Sequence, residues 1–104
     1  MIRTLWLILV VLLLPFRSLS QTSTLTGTVS DAETGAPLAG ATVFIIGTYK
    51  GAFSREDGSF SIEGIKPGDY SIRFTYVGYA EKVFNGIRLT AGSNRLNANM
   101  NSSV

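Results

Sequence analysis

Asp57-Gly58-Ser59-Phe60-Ser61-Ile62-Glu63-Gly64-Ile65-Lys66-Pro67-Gly68-Asp69-Tyr70-Ser71-Ile72-Arg73-Phe74-Thr75-Tyr76 is the stretch that decides the fold. Phe60 and Ile62 alternate with Ser59, Ser61 and Glu63. Tyr70, Ile72, Phe74 and Tyr76 alternate with Ser71, Arg73 and Thr75. Alternation with period two puts every second side chain on one face, as in a half-buried strand. A helix would repeat every three to four residues. Turn formers bound both runs. Asp57-Gly58 reads as a hairpin turn ahead of Phe60, and Lys66-Pro67-Gly68-Asp69 as a turn ahead of Tyr70.

The same grammar extends in both directions. Leu25, Gly27 and Val29 alternate with Thr26, Thr28 and Ser30, and Leu96, Ala98 and Met100 with Asn97 and Asn99. Ala41 to Ile46 is a continuous apolar, β-branched run, which predicts a strand covered on both faces. Thr34-Gly35-Ala36-Pro37, Asn85-Gly86 and Ala91-Gly92-Ser93 add turn signals, with Asn85-Gly86 separating Tyr79–Phe84 from Ile87–Leu89. No window carries a capped helical stripe. The reading is all-β: a seven-stranded antiparallel β-sandwich with Greek-key connections. Its strands fall near 24–30, 41–47, 51–55, 59–63, 70–77, 79–89 (with a break near Asn85) and 95–100. The polar residues Asn97, Asn99, Asn101, Ser102 and Ser103 predict a fraying tail.

The first twenty residues have a different character. Arg3 is followed by Leu5-Trp6-Leu7-Ile8-Leu9-Val10-Val11-Leu12-Leu13-Leu14, then Pro15, then Ser18-Leu19-Ser20. Basic start, apolar core and small residues at the cleavage positions form a signal-peptide pattern, with cleavage expected between Ser20 and Gln21. The apolar run is well short of the ~20 residues a spanning helix needs. The expected division is a signal peptide at 1–20, drawn as a helix, and one domain at 21–104 with its core at about 24–100. Arg3 and Arg17 leave with the leader, so the 9 basic residues fall to seven and balance the 7 acidic ones. Without a basic cluster, nucleic acid is not an expected partner. The mature chain is not expected to span a membrane.

Composition removes much catalytic chemistry. Cys is 0 and His is 0, so no disulfide, no Cys/His metal site and no imidazole base is available. Ser54, Ser59 and Ser61 then lack a histidine to activate them. Asp31, Glu33, Glu56 and Asp57 sit in two separate turns and read as solvated carboxylates rather than a Ca²⁺ site. No catalytic, cofactor-binding or metal residue is assigned, and no cofactor is expected. The residues set apart are aromatic. Tyr49 and Phe53 flank the loop Lys50-Gly51-Ala52 and are the expected partner contacts, while Tyr79 and Phe84 belong to the same group of aromatics divided between core and contact.

Five motifs in order resemble a known family: Gly27-Thr28-Val29-Ser30-Asp31, then Thr34-Gly35-Ala36-Pro37-Leu38-Ala39-Gly40-Ala41-Thr42-Val43, Asp57-Gly58-Ser59-Phe60, Gly64-Ile65-Lys66-Pro67-Gly68-Asp69-Tyr70, and Tyr76-Val77-Gly78-Tyr79. In order and spacing they are similar to the carboxypeptidase regulatory-like domain, over about Leu25 to Met100. The resemblance implies a transthyretin-like (prealbumin-like) sandwich and an accessory rather than a catalytic role. It also resembles the domain that follows the signal peptide at the N-terminus of TonB-dependent outer-membrane receptors. The plug and barrel of those receptors are not in the sequence, so the chain is expected to be either a small exported protein or the leading piece of a longer receptor. Zinc peptidase chemistry would need His ligands. Hydroxyisourate hydrolase, another relative of that fold, uses His and a different C-terminus. An isopeptide crosslink would need a Lys on the first strand, and Thr24 to Ser30 has none. The expectation is a non-catalytic exported interaction module associated with TonB-dependent nutrient uptake, in the periplasm and associated with the outer membrane. Its partner would be an outer-membrane receptor or its transport machinery, with a glycan as the alternative ligand.

Overall fold

A computed structural model describes residues 21–103. The leader and its Ser20 side of the cleavage bond lie outside the described residues. Those described form eight strands and no helix: β1 (Ser23–Asp31), β2 (Thr42–Ile45), β3 (Gly51–Phe53), β4 (Ser59–Ile65), β5 (Gly68–Thr75), β6 (Lys82–Leu89), β7 (Gly92–Arg95) and β8 (Ala98–Met100). One sheet runs β4-β1-β7, with β8 also on β1, and the other runs β3-β2-β5-β6.

The alternation in the sequence is what packs the two layers. Leu25 and Val29 of β1, Phe60, Ile62 and Ile65 of β4, and Ala98 and Met100 of β8 face inward from the first sheet. Val43 and Ile45 of β2, Ile72 and Phe74 of β5, and Leu89 of β6 meet them from the second. Full burial of each large apolar side chain contributes roughly 1.5–3 kcal/mol. Phe60, Phe74 and Phe84 meet edge to face at 5.7 and 5.6 Å, the geometry their ring quadrupoles favour.

Six expectations change. The Ala41–Ile46 run is buried on one face only: Val43 and Ile45 point inward, while Phe44 is half-buried and Ile46 exposed. A two-layer sandwich covers one face of each sheet. The sandwich is also not wholly antiparallel, because β7 and β8 both run parallel to β1. The intervening chain, from Ala32 to Ala91, supplies the long return that a parallel neighbour requires.

The expected last strand at 95–100 is two strands, β7 and β8, broken at Leu96-Asn97. The break lies against Gly27. Leu96 donates its N–H to the Thr26 carbonyl at 2.9 Å, and an added Cβ on Gly27 would fall 1.8 Å from the Leu96 oxygen. Only glycine leaves room for that backbone crossing. Counted as one broken strand, β7 and β8 restore the expected seven.

Asp57-Gly58 makes a turn but not a hairpin. Arg55 N–H bonds the Ser59 carbonyl and Gly58 N–H the Arg55 carbonyl, both at 2.8 Å, yet β3 and β4 join different sheets. Asn85-Gly86 does not interrupt β6. Tyr70 pairs with Ile87 and Ile72 with Phe84, so Ser71 alone faces both Asn85 and Gly86. This is a β-bulge, with Gly86 at φ 65 where a side chain would be strained.

The polar tail is pinned. Asn97 accepts from the Thr28 N–H at 3.1 Å and Asn99 from the Ser30 hydroxyl at 2.8 Å. Beyond β8, the Ala80 N–H bonds the Asn101 carbonyl and the Ser103 N–H the Gly78 carbonyl. These residues are polar because they line an edge, and their amides are used in holding it.

Candidate functional site

Tyr49 sits at the tip of the connection between β2 and β3. The Thr48 hydroxyl donates to the Ile45 carbonyl at 2.8 Å and accepts from the Lys50 N–H at 3.0 Å. The Ile45 N–H closes the loop on the Lys50 carbonyl. This tight bonding leaves the Tyr49 side chain wholly in solvent. Phe53 ends β3, an edge strand, and is 71% exposed. Exposing a phenyl ring that far forgoes burial worth roughly 1.5–3 kcal/mol, so packing of the core does not account for its place here.

Phe53 lies on the outward face of the second sheet, and Tyr49 stands in the loop at the edge of that sheet. Phe53 pairs with Thr42, and Thr42 with Thr75, making one row. Gly51, Phe44, Arg73 and Val83 make the next. The Arg73 guanidinium lies over the Phe44 ring, 5.4 Å from its centroid, and its Nε is 3.6 Å from Glu81. Val83 and Ile46 are partly open on the same face. The result is a band of exposed apolar surface crossed by one cation. At one end of this band, Thr42, Thr75, Tyr76 and Val77 line an open groove of about 320 Å³. A second groove of about 440 Å³ lies at the other end of β5, between Pro67, Gly68, Arg88 and Ala91, with Gln21 at its side.

The other two singled-out aromatics have structural posts. Phe84 packs on Phe74. The Tyr79 hydroxyl donates to Asp31 Oδ2 at 2.6 Å, and Asp31 Oδ1 accepts from the Glu33 and Thr34 N–H groups at 2.8 and 2.9 Å. These bonds, that from Tyr79 first, hold the Asp31 carboxyl below its usual range and push the Tyr79 phenol up. Asp57 is likewise lowered, chiefly by the Ser59 hydroxyl at 2.6 Å, so both carboxylates act as turn caps. Among the described residues no group of three or more His, Cys, Asp or Glu is placed to hold a metal ion.

Sequence reasoning missed the role of Ser54. It is buried, donates to the Leu38 carbonyl at 2.6 Å and accepts from the Ala41 N–H at 2.8 Å. It ties the end of β3 to the segment that enters β2. The Pro37–Ala41 turn needs such a partner for its backbone, but nothing local names Ser54 among the many serines.

Comparison with known proteins supports this architecture. No curated protein matches the chain. Among solved structures, one chain of a type II cohesin–X-dockerin complex from Acetivibrio cellulolyticus is similar at 29% identity and TM-score 0.63, over 73% of this chain and 52% of that one. A candidate carbohydrate-binding protein from Bacteroides uniformis matches at 15% identity and TM-score 0.59, over 74% and 40%. The minor pilin of Streptococcus agalactiae matches at 18% identity and TM-score 0.58, over 81% and 46%. The chain thus spans about half the length of these proteins or less, and the last two share its fold alone. A family model for the carboxypeptidase regulatory-like domain matches residues 24–101, through every strand of both sheets, and the chain belongs to that family.

Proposed function

We propose that the chain is an exported, non-catalytic interaction module that docks a protein partner through the outward face of its second sheet. The observation that carries this is the display of Tyr49 and Phe53 in solvent, with Phe44 under its arginine on the same sheet face as Phe53. Aromatic and arginine side chains dominate the energetics of protein contacts. The absence of His and Cys from the sequence and the accessory character of the family support the non-catalytic part. The likeness to a chain of a cohesin–X-dockerin complex favours a protein partner.

The finer reading is a role beside TonB-dependent nutrient uptake, in the periplasm or against the outer membrane, after cleavage between Ser20 and Gln21. The leader pattern and the family resemblance motivate it. Purified mature domain is passed over an envelope extract, and bound proteins are identified by mass spectrometry. Recovery of an outer-membrane receptor or energy-transducing component, lost with the Tyr49→Ala/Phe53→Ala variant, is the expected result. Recovery of neither by the native domain refutes the reading.

A second reading, glycan binding, is favoured by the hydroxyl-lined groove that meets the Phe53 row at Thr42 and Thr75. Titration with a glycan panel, followed by tyrosine fluorescence, tests it. No response to any glycan removes it.

A further inference from the structure

We propose that Gln21 is a modification site, at which the freed α-amino group closes on its own side-chain amide to form a pyroglutamyl N-terminus. The inference rests on the reading of Ser18-Leu19-Ser20 as a cleavage signal, which makes Gln21 the first residue of the mature chain. The structure supplies the rest. Gln21 is exposed, whereas Ser23, two residues later, is fully buried and paired with both Ile65 and Gly92. The Thr22 carbonyl accepts from the Gly92 N–H at 3.1 Å. The new terminus is therefore a two-residue lead into β1, with Thr22 held through its carbonyl and the Gln21 side chain exposed and able to fold back on its own α-amino group.

The step balances without a co-reactant. The α-nitrogen lone pair attacks Cδ of the side-chain amide. A new C–N bond closes a five-membered lactam, the bond from Cδ to Nε2 breaks, and the amide nitrogen leaves as ammonia with the proton lost from the attacking amine. An α-amino group titrates near 7.7–8.0, so roughly a tenth is the neutral nucleophile at neutral pH.

The surroundings favour the product. Gln21 lies along the groove formed by Pro67, Gly68, Leu89 and Ala91. The charged pair on that groove, Asp69 and Arg88, is already joined at 3.2 Å. Cyclisation removes the charge of the terminus beside Pro67, Gly68 and Ala91, and a neutral group costs less to desolvate than an ammonium. The lactam also denies aminopeptidases the free amine they grip, which protects the short lead into β1.

The full chain with its leader is expressed in a bacterium with two membranes and purified from the periplasm. Intact mass and stepwise N-terminal sequencing are read at once and after prolonged incubation in neutral phosphate. The expected product is residues 21–104 lighter by one ammonia and blocked to sequencing. Treatment with pyroglutamyl peptidase then exposes Thr22. Gln21→Asn is expected to be cut at the same bond yet to keep its full mass and a readable first residue, because its shorter side chain would have to close a four-membered ring. An unshifted mass with readable Gln21 in the aged native sample overturns cyclisation and leaves the cleavage reading standing. A retained leader, or a first residue other than Gln21, overturns both.

Discussion

Replacing Gly27 by alanine tests the crossing that shapes the C-terminal edge. The new methyl carbon would lie 1.8 Å from the Leu96 oxygen, 2.7 Å from its carbonyl carbon and 3.0 Å from Phe60 Cε1. Two of those three atoms are backbone, and the third belongs to a core ring that is 1% exposed, so no flexible side chain can yield. Leu96 must retreat until the contact exceeds 3.0 Å, and its N–H is bound to Thr26 at 2.9 Å. That bond is lost, and with it the Thr28 N–H bond to Asn97. Overpacking costs about 1–3 kcal/mol. Two lost hydrogen bonds add about 1 kcal/mol each. The expected loss of about 3–5 kcal/mol is a large share of the 5–15 kcal/mol typical of a whole domain. With a urea slope of about 1–3 kcal/mol/M, the unfolding midpoint falls by at least about 1 M. Gly35→Ala is the comparison: nothing lies within 4 Å of its added Cβ, and its φ of 75 alone penalises the substitution, by roughly 1–2 kcal/mol. Equilibrium unfolding of both variants, followed by circular dichroism, decides. A Gly27→Ala midpoint no lower than that of Gly35→Ala refutes the argument.

Tyr79→Phe removes the strongest bond to Asp31, so the Asp31 carboxyl is expected to titrate closer to its usual 3.8, read by carboxyl carbon NMR; an unchanged titration excludes the assigned role. The sign follows from the two directions. Asp31 is lowered, so its contribution to stability is present above about 3.8 and fades as pH falls through the lower folded value. Tyr79 is raised, so its contribution is present below 10.0 and fades as pH rises through the higher folded value. The native chain should therefore lose its advantage over the phenylalanine variant at both extremes, and denaturation midpoints across pH measure this. Ser54→Ala strands the Ala41 N–H and Leu38 carbonyl in the interior and is expected to cost about 1–3 kcal/mol; an unaltered melting temperature would contradict it. Tyr49→Ala and Phe53→Ala, by contrast, should each shift stability by no more than about 0.5 kcal/mol, because neither side chain is in the core, and a larger loss in thermal melts would show that they pack.

The sequence by itself determined the class of fold and most of the inward-facing set. Leu25, Val29, Phe60, Ile62, Ile72 and Phe74 are legible from alternation, because a pleated strand leaves no other way to sort side chains between core and solvent. The family followed from the order of its turns. The exposure of Tyr49 and Phe53 was half legible: a loop flanked by aromatics marks a contact, but the same spacing serves a core as well. Tertiary structure alone decided which strands became neighbours. Asp57-Gly58 dictates a local reversal, but not whether the next strand pairs with the last or crosses to the other sheet. The parallel placement of β7 and β8, the duty of Gly27 beneath Leu96, the bond from Tyr79 to Asp31 and the burial of Ser54 all join residues distant in the chain or set by a distant packing choice. Backbone torsions and alternation are properties of neighbours in sequence. The partners of a strand are settled by which arrangement closes both sheets over a single core, and that is a property of the whole chain.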